Sequence, residues 1–84
     1  MYLEVITPDK KVFEGEVESV TFPGTDGLFQ ILNSHAPLIS TLGEGHITYK
    51  IEKEDQHSVA VKGGVVEVLN NKVVALIESL MGED

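Results

Sequence analysis

VVEVLNNKVVALIE, residues Val65–Glu78, decides the fold. Two short runs rich in β-branched residues flank a pair of asparagines, and asparagine tolerates the positive φ that a tight two-residue hairpin turn demands. Val65 to Leu69 and Lys72 to Glu78 therefore read as two antiparallel strands joined at Asn70-Asn71. Upstream, HITYKIEK (His46–Lys53) alternates cleanly. Ile47, Tyr49 and Ile51 take one face; Thr48, Lys50 and Glu52 take the other. Glu54-Asp55-Gln56 reads as the turn into a strand that places Val59 and Val61 inward.

The same pattern runs back to the N-terminus. Tyr2 to Thr7 is a strand, Pro8-Asp9-Lys10 a turn, and Lys11 to Phe22 further strand. Val17 breaks parity with Val20 and Phe22, which suggests a bulge near Glu18. Pro23-Gly24-Thr25-Asp26-Gly27 is the densest turn cluster. Leu28 to Leu32 is a short strand and Asn33-Ser34 a second turn. Pro37 then pushes Ala36 toward extended geometry. Leu38 to Leu42 is apolar, and Gly43-Glu44-Gly45 turns again. Nothing has the length and 3.6-residue period of a helix. The tail from Ser79 to Asp84 is too short to hold one alone. The expectation is an all-β, flattened sandwich of about ten short strands in two sheets, as one domain over residues 1–84.

Composition removes several function classes. There is no cysteine, so disulfides, thiolate metal sites and a cysteine nucleophile are out. Net charge is -8, with six lysines and no arginine, which lacks the clustered positive charge that nucleic acid requires. No apolar run approaches the ~20 residues of a membrane helix, and the opening MYLEVITPDKK has no targeting pattern.

Chemistry-bearing side chains do not converge. His35, His46 and His57 stand eleven residues apart, not at metal-ligand spacing. Ser34 or Ser40 with His35 and Asp26 would be the hydrolase reading. Sequence neighbours on an extended chain point opposite ways, and no Gly-x-Ser-x-Gly elbow occurs. The glycines precede no helix that could cradle phosphate. Asp26 and Glu44 sit in separate turns. The expectation is no catalytic residue, no cofactor and no metal. Leu28 and Gln30 point one way while Phe29 and Ile31 point the other, so at least one large apolar side chain faces solvent. That marks a docking surface.

The order of motifs then carries a resemblance. Phe13-Glu14-Gly15-Glu16-Val17, Pro23-Gly24-Thr25-Asp26-Gly27, Ile31-Leu32-Asn33-Ser34-His35-Ala36-Pro37-Leu38 and Lys62-Gly63-Gly64-Val65-Val66-Glu67-Val68 together resemble the epsilon subunit of the rotary F-type ATP synthase. The likeness covers about Tyr2 to Glu78. It implies a non-catalytic rotor subunit at the foot of the central stalk, fixing gamma to the c-ring so that proton or other ion transport drives ATP synthesis. It implies a peripheral place on the cytoplasmic face of a bacterial membrane, without insertion. On that resemblance, Asp26, Gly27, Leu28, Phe29, Gln30, Ile31, Asn33 and Ser34 match the loop that meets the c-ring. Thr7, His35 and Ser40 match positions near gamma. Relatives commonly carry an acid where Leu28 stands and continue into a two-helix C-terminal domain; the expectation, if Asp84 is the natural terminus, is that this regulatory extension is absent. The alternative is a free-standing β-sandwich module for a small molecule or carbohydrate. It needs convergent aromatic and polar groups. The chain offers five aromatics and no tryptophan.

Overall fold

A computed structural model describes residues 1–81. Nine strands follow in chain order: β1 (Tyr2–Ile6), β2 (Lys11–Glu16), β3 (Ser19–Gly24), β4 (Gly27–Leu32), β5 (Leu38–Leu42), β6 (Gly45–Glu52), β7 (Asp55–Val61), β8 (Gly64–Leu69) and β9 (Lys72–Ile77). There is no helix among the described residues. The expected all-β class holds, with nine strands.

The strands form two layers that share one seam. The first layer runs β2-β1-β9-β8-β5 and the second β4-β3-β6-β7. A single pair, Gly24 with Leu42, joins β3 to β5 and makes the hydrogen-bonded sheet continuous around the fold. Two faces thus close on one core. From the first layer come Leu3, Val5, Val66, Val68, Val73, Ala75 and Ile77; from the second come Val20, Phe22, Ile31, Ile47, Tyr49 and Val61. Phe13 on β2 meets Tyr49 on β6 with ring centroids 4.3 Å apart, bridging the layers. Such aromatic pairs add about 0.5–1.5 kcal/mol beyond their burial. Burial also raises the Tyr49 phenol pKa above its ordinary value, because its charged form would be desolvated.

The β8–β9 hairpin turns at Asn70 and Asn71, with φ of 52° and 61°. Both sit in the left-handed region, as expected of a tight two-residue turn. Asn71 does a second job. Its Oδ1 accepts the Ser34 backbone N–H at 2.8 Å. Asn71→Ala loses that acceptor and forces a Cβ-bearing residue with no compensating side chain into αL. We expect a loss of about 1–2 kcal/mol in urea denaturation, with Asn71→Gly recovering the backbone share.

Three local expectations shift. The bulge near Glu18 is a corner: β2 ends at Glu16, β3 starts at Ser19, and the chain crosses between layers. Val17 is buried despite its parity because it lies at that crossing. The β6–β7 turn is Lys53-Glu54, since Glu52 already pairs with Asp55, so His57 is in a strand opposite Tyr49. The dense turn cluster narrows to Thr25-Asp26, because Pro23 and Gly24 are strand residues paired with Leu28 and Gly27. A Cβ on Gly24 would stand 2.7 Å from the Gly27 carbonyl and 2.8 Å from the Phe29 ring, so this close pairing needs glycine. Of the tail, Leu80 bridges to Val61; residues 82–84 lie outside the described residues.

Candidate docking surfaces

Two outer surfaces remain once the core is accounted for. The first is the β3–β4 hairpin. Asp26 is exposed at its tip, beside Gly27 at φ 127°. Leu28 and Gln30 point outward, and Leu28 is 75% exposed. Phe29 is half-buried, its ring centroid 5.6 Å from that of Phe22. Ile31 is fully buried, so it anchors the hairpin from inside and presents nothing outward.

The hairpin is held from several sides. Thr25 N–H donates to the Thr41 carbonyl at 3.2 Å, and the two threonine hydroxyls lie 2.9 Å apart. At its far end, Asn33 Oδ1 accepts from the Met1 amine at 2.7 Å. Ser34, at φ 63°, is held by Asn71. A surface fixed this way loses little conformational entropy on binding.

The second surface is the outer face of the first layer. Register places Thr41, Val65, Leu76 and Ile6 in one row across β5, β8, β9 and β1, and Ile39, Glu67, Val74 and Glu4 in the next. Ile39 is 71% exposed, Leu76 56% and Leu69 49%. Shallow clefts open on this face, one between Ile6, Pro8 and Leu76 and another between Pro37, Ile39 and Leu69. Charge gathers at its border. Lys11 Nζ lies 2.7 Å from Glu14 and 3.3 Å from Glu4, the Tyr2 hydroxyl donates to Glu14, and Lys72 stands over the Tyr2 ring. Lys11, and then the Tyr2 hydroxyl, hold the Glu14 carboxyl below its ordinary pKa. Apart from Glu67, the centre of this face is apolar and its border polar, which is the anatomy of a protein interface.

The opposite outer face differs. Thr21, Thr48 and Ser58 share a row there, beside Ser19, Lys50 and Gln56. That polar face needs no cover.

Sequence reasoning missed the apolar outer face. The signal was present in part in β8 and β9: Val66, Val68, Val73, Ala75 and Ile77 face in, while Val65, Leu69, Val74 and Leu76 face out together with Glu67 and Lys72. A strand apolar on both sides is ordinarily covered on both sides.

The three positions Thr7, His35 and Ser40 do not form a cluster. Thr7 is buried at the end of β1, its Oγ1 3.2 Å from the Lys10 nitrogen and carbonyl. Ser40 is half-buried on β5. Strands β8 and β9 separate β5 from β1, a span of about 14 Å. His35 is exposed in the β4–β5 loop, with Nδ1 2.7 Å from the Ala36 carbonyl. Ser40 is the register partner of the buried Val66, and Thr7 has the parity of the buried Leu3 and Val5, so neither side chain lies on the apolar outer face. Among the described residues no cluster of His, Asp or Glu is suited to a metal ion.

Comparison with known proteins identifies the family of this fold. A family model for the ATP synthase delta/epsilon chain β-sandwich domain matches residues 1–82. The chain belongs to that family. An ATP synthase epsilon chain from Chlorobium limicola is 42% identical over 93% of this chain and 89% of its own. One from Maridesulfovibrio salexigens is 45% identical over 93% of this chain, which spans 54% of it. Epsilon-type domains thus occur both in relatives of about this length and in longer ones. Among solved structures, the Euglena gracilis mitochondrial ATP synthase assembly containing OSCP, F1 and c-ring has a chain that superposes with TM-score 0.87. The identity is 18%, over 98% of this chain and 54% of that one. The Tetrahymena thermophila mitochondrial ATP synthase central stalk and c-ring gives 0.79, at 20% identity over 95% of this chain and 64% of that one. These two likenesses establish the shared fold.

Proposed function

We propose that this chain is a non-catalytic central-stalk subunit of a rotary F-type ATP synthase, fixing gamma to the c-ring so that ion-driven rotation reaches the catalytic head. Family membership supports the complex. The observation that supports the mechanical role is the bare outer face of β8 and β9, whose residues Val65, Leu69 and Leu76 have the composition of a covered strand.

On this reading gamma covers that face and lies near Thr7, His35 and Ser40, and the c-ring polar loops meet the hairpin from Asp26 to Ser34. The protein is peripheral to the membrane, on the cytoplasmic side in a bacterium. A stable interface takes about 800 Å² per partner. Two of them occupy roughly a third of the 4991 Å² surface. Torque then passes through broad contacts and a close-packed interior that deforms little.

The test is co-purification. The tagged chain, expressed in its source organism and extracted in mild detergent, is expected to bring down gamma and the c-ring. Recovery of neither removes the proposal. Cutting out residues 26–34 is a poor test of docking, since it deletes the core residue Ile31; point changes at exposed positions keep the fold intact.

A further inference from the structure

Strand β8 turns one charge onto the apolar outer face. Glu67 is exposed there, on the same side as Val65 and Leu69 along its strand. Across the strands its register partners are Ile39 on β5 and Val74 on β9. Four aliphatic side chains thus surround one carboxylate, and Glu67 lines a shallow cleft on each side of β8.

The other carboxylate of that row has a different setting. The Glu4 side chain on β1 is only 16% exposed, and Lys11 Nζ lies 3.3 Å from its Oε2. Among the described residues no cation lies within ion-pair distance of Glu67. Lys72 lines one of the two clefts, yet its ammonium stands 5.8 Å from the centre of the Tyr2 ring. With six lysines and no arginine against fourteen acids, the chain has little positive charge to bring here.

In the free chain water solvates Glu67, and nothing opposes its charge. A partner that covers Ile39, Val65, Leu69 and Val74 closes over Glu67 as well and removes that water. An ionised carboxylate left unpaired in such a place opposes binding more strongly than the apolar contact beside it favours binding. We infer that the partner carries a lysine or arginine that enters beside Glu67 and pairs with it, inside an otherwise apolar contact. This rests on the reading of the face as the one gamma covers; the cationic residue then belongs to gamma. The pair adds direction to the contact. Aliphatic surfaces tolerate sliding along the strands, whereas an ion pair fixes one register.

Titration calorimetry of the full chain against purified gamma tests the pair. Glu67→Leu enlarges the apolar patch but leaves gamma's cation unpaired, and is expected to weaken binding at least about ten-fold. Glu67→Gln keeps the shape, removes the charge and is expected to weaken binding too; it carries the reading if Glu67→Leu self-associates. Glu67→Lys sets like charges together and is expected to bind more weakly than either. Glu67 is exposed, so melting temperatures are expected to match wild type. If Glu67→Leu binds as tightly as wild type or more tightly, if Glu67→Gln is indistinguishable from wild type, or if Glu67→Lys binds as well as the neutral variants, the ion pair is wrong. Glu67 then serves only to keep the bare face soluble before assembly, and the assignment of that face to gamma stands. If the wild-type chain does not bind gamma, both fall.

Discussion

Replacing Val65 and Leu76 together by glutamate is expected to abolish capture of gamma while leaving the domain folded. The two residues are register partners on β8 and β9, 39% and 56% exposed. Neither supports the core, so solvent accepts the new carboxylates in the free chain. Against gamma the same carboxylates would be buried in an apolar centre, unpaired and beside each other. Each costs several kcal/mol there. Even about 2.8 kcal/mol in total lowers affinity a hundred-fold. Titration calorimetry with purified gamma measures the affinity, and circular dichroism checks the fold. Thr48→Glu, on the polar outer face, is the control and is expected to bind as wild type does.

The largest effect on stability is expected at Gly64. Its φ is 156°, and a Cβ there would stand 2.3 Å from the Leu76 carbonyl oxygen and 3.0 Å from the Ile77 Cα. Both obstacles are backbone in the neighbouring strand, so relief means opening the β8–β9 ladder at its start. Gly64→Ala is expected to destabilise by about 3 kcal/mol or more. In a domain of this size that lowers Tm by at least ~10 °C. Calorimetry reads it directly. Total stability for such a chain is about 5–15 kcal/mol, so the variant sits near the threshold for folding.

The strands were legible because their chemistry is local. Ile47 and Tyr49 alternate with polar neighbours, and only one register buries them. Asn70-Asn71 names its own turn through the φ it tolerates. Where reading from the sequence slipped, a long-range contact decides. Pro23-Gly24 has turn composition, yet Gly24 is held in a strand by Gly27, Phe29 and, across the seam, Leu42. Val17 has the wrong parity but is buried because the chain changes layers beside it.

The docking surfaces were half legible. Leu28 and Gln30 could be placed outside by alternation within one short strand. The outer face of β8 and β9 could not be placed that way, since alternation identifies a face only when the other face is polar. Thr7, His35 and Ser40 looked like a group on resemblance. The topology instead spreads them apart, with Thr7 buried at the end of β1, Ser40 half-buried on β5 and His35 exposed in the β4–β5 loop.

Because the chain contains no cysteine, single-cysteine variants report accessibility without background. Leu76→Cys on the apolar outer face and Thr48→Cys on the polar one would be labelled with a maleimide in the isolated chain and in the assembled synthase. The account predicts that Cys at 76 reacts freely in isolation and is protected on assembly, while Cys at 48 reacts in both. Equal reactivity at 76 in both states would contradict it, because the face would then be bare in the working enzyme.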